Sequence, residues 1–412
     1  MSFKKIITYG NLVALFAFFM PISEKISVIL IFICILALAV EVYFKKVKLN
    51  INRELYVLPI IFIIYSISII AFSNDLHFKW FEQRASLIAF PLIFLGSNNI
   101  DFKKVLKLYV YGCIVAYIIC LVHALIKAIS FGNGIEFNPL INPDRGFFEA
   151  VIYEGNYFFG THFSFLIQTS YFAMYSLLAI CSLLIYNKKF PKKTVYFGCF
   201  FLIMGILQTM SIAGILSTGG LFFLGIFFFI KKIKYKLVFA SILISAIIFS
   251  FLFHPRLKML KDSLYYIELK KDYSKSNPKI IRIVNWQSSL AVIRRNYLFG
   301  VGLCNAQNYL NAEYENRGFP KFAEKKLNSH NQFFQILLEC GIIGLILLII
   351  VLFQLAKKST KLPQNEKLFA ICFLIIICFN FLFESMLNRY IGISFFSFFV
   401  CLIYKITLNT KG

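Results

Sequence analysis

Residues 328–354 read NSHNQFFQILLECGIIGLILLIIVLFQ, a short polar group followed at once by a long apolar run. An α-helix rises about 1.5 Å per residue, so about 20 apolar residues are enough to cross the hydrocarbon core of a bilayer. A histidine and several amides at the start of such a run lie where hydrocarbon meets water. The stretch therefore predicts a membrane-spanning helix with a candidate site at its polar end.

The same apolar pattern recurs along the whole chain. Of its 412 residues, 59% are hydrophobic and only 15% are charged, whereas soluble domains carry about 25% charged residues. The apolar runs are continuous rather than alternating, which excludes a membrane β-barrel. We predict an all-α integral membrane protein with about twelve transmembrane helices. The predicted spans are 6–20, 27–44, 56–72, 84–96, 105–127, 166–186, 194–210, 212–230, 237–253, 332–354, 368–384 and 390–406.

Lysine clusters lie in every second loop between these spans, which predicts that both termini are cytoplasmic. The net charge is +24, but the basic residues lie in short clusters between apolar runs, so we expect membrane lipids as partners and no nucleic acid. The predicted organisation is nine spans in residues 1–253, a long external loop in 254–331 and three spans in 332–412. A second external loop lies near 128–165.

The ten cysteines and the carboxylates show no spacing typical of a metal site, so we predict no metal and no cofactor. By default we assign the many phenylalanines to lipid-facing surfaces.

Within the long loop, residues 280–293 have the spacing of an amphipathic helix, with Ile283, Trp286, Leu290 and Ile293 predicted on one face. Arg282 lies in this helix. An arginine there can hold a phosphate with two parallel hydrogen bonds, which a lysine cannot do. The alternative is an arginine that contacts lipid headgroups.

Ser329 is followed three residues later by Gln332, which fits a capping box at the start of the apolar run. We therefore expect Ser329 to be the N-cap, with His330 and Asn331 in the first helical turn. The unpaired N–H groups of that turn favour an anion such as a diphosphate. His330 is the candidate general base, and the alternative is a histidine that merely occupies a polar helix end.

Other charged residues lie at the predicted external face or within a span. Glu384 and Arg389 bracket the turn between the last two spans and form either part of a site or an internal ion pair. Arg84 is either a second phosphate ligand or a surface anchor. Glu339 lies deeper in its span, where a carboxylate needs a partner, and Gly341 beside it permits close helix packing.

Two motifs resemble the signature of the O-antigen ligase/polymerase superfamily. They are His330-Asn331-x7-Glu339-x-Gly341-x2-Gly344-Leu345 and Arg282-x3-Trp286 followed by Phe299-Gly300-Val301-Gly302. The resemblance implies a GT-C-like membrane glycosyltransferase, without a metal, in the inner (cytoplasmic) membrane of a bacterium. Its active site would face the periplasm. Its donor would be an undecaprenyl-diphosphate-linked glycan, and its acceptor lipid A core or another lipid-linked glycan.

The resemblance also implies roles for individual residues. His330 would be the base and Arg282 a diphosphate ligand. Many members carry Ser-Arg-Ala-Gly where this chain has isoleucine at position 212, so Arg389 or Arg84 would replace the missing arginine. The supporting residues would be Ser329, Asn331 and Glu384.

Several functions remain open at this point. An O-antigen ligase is favoured because the His-Asn motif at the start of the third-last span resembles that branch, and an O-antigen polymerase is the alternative. A metal-dependent oligosaccharyltransferase is disfavoured because its carboxylate cluster is missing. A polysaccharide or lipid transporter is disfavoured because the sequence shows no repeat symmetry.

Overall fold

Backbone groups inside a bilayer have no water to bind, so apolar runs of this length fold as helices that satisfy their own hydrogen bonds. The computed structural model describes residues 8–409 except 50–52, 73–77, 97–98, 132–133, 143–145, 153–154, 230–231, 236, 239–240, 242–244 and 246–280. The described residues form a helical bundle, as predicted, with one small β-hairpin.

The helices before residue 132 are α1 (Tyr9–Phe19), α2 (Glu24–Tyr43), α3 (Val57–Phe72), α4 (Phe78–Arg84), α5 (Ser86–Phe94) and α6 (Phe102–Ala128). Next come the antiparallel strands β1 (Ile129–Phe131) and β2 (Ile135–Phe137), in which Ile129 pairs with Phe137. The helices that follow are α7 (Phe147–Ile152), α8 (Gly160–Phe163), α9 (Thr169–Ile185), α10 (Lys192–Thr209) and α11 (Ile212–Phe229). The C-terminal helices are α12 (Ile281–Arg295), α13 (Ala306–Asn316), α14 (Pro320–Glu324), α15 (Gln332–Ser359), α16 (Gln364–Phe383) and α17 (Tyr390–Asn409).

Among the described residues, four helices are long and apolar enough to cross a membrane, namely α2, α6, α15 and α16. The shorter apolar helices are α1, α3, α9, α11 and α17. Each of these helices coincides with a predicted span, so the class of an all-α membrane protein is supported. The number of twelve spans remains a prediction.

Of the span predicted at 84–96, Arg84 ends α4 and Ser86–Phe94 forms α5, with a turn at Ala85 between the two helices. The Ala85 N–H bonds to the carbonyl of Glu82, three residues back, which tightens the turn there. The span predicted at 237–253 lies almost entirely outside the described residues.

The centre of the bundle is aromatic. Phe395, Phe396, Phe398 and Phe399 on α17 are at most 1% exposed, and the Phe16 and Phe398 rings lie 5.1 Å apart. The default assignment of phenylalanine to the lipid-facing surface is therefore wrong for this helix. Tilted and edge-on ring pairs fill a core well, which favours phenylalanine between closely packed helices.

The described part of the long loop, residues 281–331, packs onto α15 through a second apolar cluster that contains Val292, Leu310, Tyr314 and Leu338. At Gly341 the helix α15 is interrupted, with φ of 63° and ψ of −159°. A Cβ atom there would collide with the carbonyl of Leu298. The close approach that the glycine was expected to permit is therefore present, and its partner is the loop.

Candidate functional site

The turn before α15 places His330 outside the helix. Asn331, not Ser329, is the N-cap, and its Oδ1 accepts from the Phe334 N–H at 3.1 Å. His330 has a left-handed φ of 46°, and its own N–H bonds to Asn328 Oδ1 at 3.0 Å. The predicted capping box is therefore wrong, because asparagine caps as well as serine and lies two residues nearer the helix. The Phe334 N–H is occupied by the protein itself rather than open to an anion.

A second turn, between α16 and α17, packs against the histidine turn. Asn331 Nδ2 donates to the Leu382 carbonyl at 3.2 Å, and the Leu387 N–H donates to Gln332 Oε1 at 2.6 Å. These bonds join the start of α15 to the end of α16. They bring His330 and Glu384 together from positions more than fifty residues apart.

His330 and Glu384 form the centre of the site. The Nδ1 atom of His330 lies 3.5 Å from Glu384 Oε2, and the two side chains are 24% and 11% exposed. The Ser170 hydroxyl donates to Glu384 Oε1 at 2.8 Å. A carboxylate beside Nδ1 orients an imidazole so that Nε2 is the nitrogen that accepts a proton.

The ionisation of Glu384 follows from these neighbours. Burial raises the pKa of its carboxyl, but the nearby charges of His330 and Arg282 and the hydrogen bond from Ser170 outweigh burial. The pKa therefore lies below its ordinary value. The carboxylate is charged at neutral pH and stabilises an imidazolium formed on His330.

Arg282 reaches the same site from α12. Its Nη2 atom lies 4.0 Å from Glu384 Oε1, and its guanidinium lies over the Phe383 ring at 5.6 Å from the centroid. The Trp286 ring contacts the rings of Phe334 and Phe383, at centroid distances of 6.2 and 6.4 Å. The predicted helix thus places its arginine beside the histidine.

The buried face of α12 differs from the prediction. Leu290 is 37% exposed, whereas Val284, Asn285, Ser288 and Ser289 are at most 2% exposed. Of the four residues predicted on one face, Ile293 is 7% exposed and therefore buried, whereas Leu290 is not. Asn285, Ser288 and Ser289 share the buried face with apolar residues, and small residues of this kind allow α12 to approach α15 closely.

The other two predicted arginines lie in different surroundings. Arg84 is 1% exposed, and its Nη2 atom lies 3.7 Å from Glu339 Oε2. It is therefore neither a surface anchor nor a residue of the histidine turn, and it is the partner that Glu339 was expected to need. Arg389 is exposed at the start of α17. Within the described residues, the ion pairs of Glu384 are with His330 and Arg282 rather than with Arg389.

A buried polar group behind the site was not predicted. Gln335 accepts from the Ser329 hydroxyl at 2.8 Å and donates to Glu339 Oε1 at 2.7 Å. The Ser385 hydroxyl lies 3.1 Å from that of Ser329. Gln335 and Glu339 are four residues apart in an otherwise apolar run, and that spacing is the signal that could have found them. Among the described residues, no three His, Cys, Asp or Glu side chains are placed to hold a metal ion.

Residues 197–349 match the model of a family described as O-antigen ligase. The match confirms the resemblance drawn from the sequence motifs. It includes Arg282, His330 and Glu339, whereas Arg84, Glu384 and Arg389 lie outside it. No curated protein matches the chain.

Proposed function

We propose, from the match of residues 197–349 to the O-antigen ligase family, that the chain is a membrane glycosyltransferase. It would move a glycan from undecaprenyl diphosphate onto an acceptor hydroxyl at the periplasmic face of the inner membrane. The acceptor in an O-antigen ligase is lipid A core. The observation that carries this proposal is His330 Nδ1 at 3.5 Å from Glu384 Oε2, at the N-terminal end of the long apolar helix α15.

In this reaction the acceptor oxygen bonds to the anomeric carbon of the glycan while the bond from that carbon to the diphosphate breaks. His330 Nε2 accepts the proton of the acceptor hydroxyl, and Glu384 stabilises the resulting imidazolium. A positioned base of this kind is worth about 10²–10⁴-fold in rate.

The departing undecaprenyl diphosphate carries the negative charge. Arg282 would bind it, since its guanidinium is beside the base and is 24% exposed. Arg389, exposed on the same side of the bundle, would be the second ligand in place of the arginine missing at Ile212. Arg84 is left out of this role because its guanidinium is buried against Glu339.

The same donor and the same site serve a polymerase, whose acceptor is another lipid-linked glycan. The ligase is preferred because the His-Asn motif resembles that branch. A lipopolysaccharide gel of a deletion strain distinguishes the two. Loss of a ligase leaves full-length glycan on its lipid carrier, whereas loss of a polymerase leaves core that bears a single repeat.

A transporter would use polar residues near the middle of the bilayer rather than a base and an arginine at one end. The test is transfer by purified protein supplied with lipid-linked glycan and acceptor. His330→Ala should abolish transfer while the protein remains inserted and still binds the donor. Retention of more than about a tenth of wild-type turnover would contradict a base at this position. Lys325→Ala, an exposed residue of the same loop, is the control and should change little.

A further inference from the structure

Gln335 joins the two backbone segments that carry the site. Its side-chain oxygen lies 3.2 Å from the Ser329 N–H nitrogen and 2.8 Å from the Ser329 hydroxyl. The Ser385 hydroxyl also reaches it, at 3.4 Å. Ser329 is the residue before His330, and Ser385 is the residue after Glu384. One amide oxygen thus holds both neighbours of the His330–Glu384 pair.

The orientation of this amide is determined by Glu339. An N–H group can only donate, so the Ser329 backbone requires the oxygen of Gln335 on its side. The Gln335 nitrogen then faces Glu339 Oε1 at 2.7 Å, where a carboxylate can only accept. A flipped amide would place donor against donor on one side and acceptor against acceptor on the other.

Glu339 is in turn held by Arg84. The two side chains are 3% and 1% exposed and lie 3.7 Å apart. Arg84 also donates to Asn388 Oδ1 at 3.4 Å, and its guanidinium lies 4.6 Å from the centroid of the Tyr65 ring. A buried carboxylate without such a partner is strongly unfavourable, so Arg84 maintains the acceptor that Gln335 needs.

We propose that Gln335 is a positioning residue whose amide fixes the separation of His330 and Glu384, with the Arg84–Glu339 pair setting the orientation of that amide. The proposal assigns Arg84 and Glu339 to the support of the site rather than to the substrate. Its consequence for turnover rests on the proposed function of His330, whereas its consequence for the geometry of His330 does not. A displacement of about 1 Å costs a reaction about 10²-fold.

Asn380 provides a matched control on the neighbouring helix. It is 2% exposed on α16, and its amide donates to the Ile376 carbonyl at 2.8 Å and contacts the Ser217 hydroxyl at 3.5 Å. It lies four residues before Glu384, and its side chain bonds to neither Ser329 nor Ser385. Asn380→Leu therefore removes a buried amide of the bundle without changing the hydrogen bonds of Gln335.

The experiment compares Gln335→Leu with Asn380→Leu in the full-length protein. The rate at which diethyl pyrocarbonate modifies His330 is measured by mass spectrometry, with His162, an exposed histidine of α8, as the internal reference. In Gln335→Leu we expect the His330/His162 rate ratio to change at least about threefold. We also expect kcat to fall about 10- to 100-fold while the KM for the donor stays within about twofold. Asn380→Leu should lower thermal stability comparably and leave the ratio and kcat within about twofold.

A second pair of variants tests the proposal even if Gln335→Leu does not fold. Ser385→Ala should lower kcat and change the His330/His162 ratio in the same direction, and Ser385→Thr, which keeps the hydroxyl, should restore both. The proposal is overturned if the ratio stays at the wild-type value in Gln335→Leu and Ser385→Ala, or if Asn380→Leu changes it equally. Inactive wild-type protein, or full activity in His330→Ala, would refute the proposed function instead. The ratio would still test the positioning.

Discussion

Glu384 offers the most direct test of the proposed chemistry, because Glu384→Gln removes one charge and keeps the shape. The carboxylate lies 3.5 Å from His330 Nδ1. For opposite unit charges at that distance, an effective dielectric constant of about 20 gives about 4–5 kcal/mol. The His330 side chain is 24% exposed, and Arg282 also interacts with this carboxylate, so screening reduces the figure to about 2–3 kcal/mol. Glu384→Gln should therefore lower kcat by about 30- to 150-fold.

The assay is transfer of lipid-linked glycan by purified protein, with kcat and the donor KM measured separately. Glu366→Gln is the matched control, since it makes the same substitution near the opposite end of α16 and should leave kcat within about twofold. The double variant His330→Ala/Glu384→Gln should be no slower than His330→Ala, because Glu384 acts through the imidazole. A further loss in the double variant, or an unchanged kcat in Glu384→Gln, would refute this reasoning.

Other properties of the chain lead to separate expectations. Arg282→Ala should raise the donor KM about tenfold or more. Arg282→Lys should restore the KM only in part, because an ammonium cannot form the bidentate contact. Equal KM values for wild type and both variants would show that Arg282 does not bind the diphosphate. Activity should survive EDTA, since charge stabilisation is assigned to arginine, and sensitivity reversed by magnesium would contradict that assignment. A cysteine placed at Lys325 should react with an impermeant reagent added outside the cell and one at Lys189 should not; equal labelling would overturn the topology. The lowered pKa of Glu384 means that its ion pairs stabilise the fold above the ordinary pKa of about 4.3 and lose that effect as the pH falls through the lowered value. Thermal unfolding of wild type and Glu384→Gln should therefore differ at neutral pH and converge in acid, and a constant difference would contradict the ionised pair.

The sequence was sufficient for the apolar helices of the bundle, because each depends on a local apolar run whose length can be counted. The polar helices α13 and α14 have no such run and were not predicted. It was also sufficient to find Arg282 and His330 as candidates, since both lie in short motifs beside predicted helix ends. Their proximity in space was not predictable, because 47 residues separate them and the sequence does not show how α12 packs on α15.

The remaining differences come from packing, which local patterns do not encode. The burial of Arg84 depends on Glu339, a residue 255 positions later whose partner the sequence left open. The N-cap moved to Asn331 because His330 adopts a left-handed conformation, and neither cap is preferred strongly enough to be chosen from residue type alone. The inward face of α12 carries small polar residues beside Val284 and Ile293, and hydrophobic periodicity alone does not place such residues on a buried face.

The interruption of α15 at Gly341 has a consequence for how the protein is made. In a continuous helix the Ile342 N–H would bond to the Leu338 carbonyl. Here Ile342 donates to the Tyr297 carbonyl at 2.9 Å, and Leu338 accepts from the Val301 N–H at 2.7 Å. Residues 297–301 leave the ribosome before α15 does, so these loop residues are already present when the helix forms. The helix completes its backbone hydrogen bonds at Gly341 only by docking on them. Docking of the loop and completion of α15 are therefore a single step.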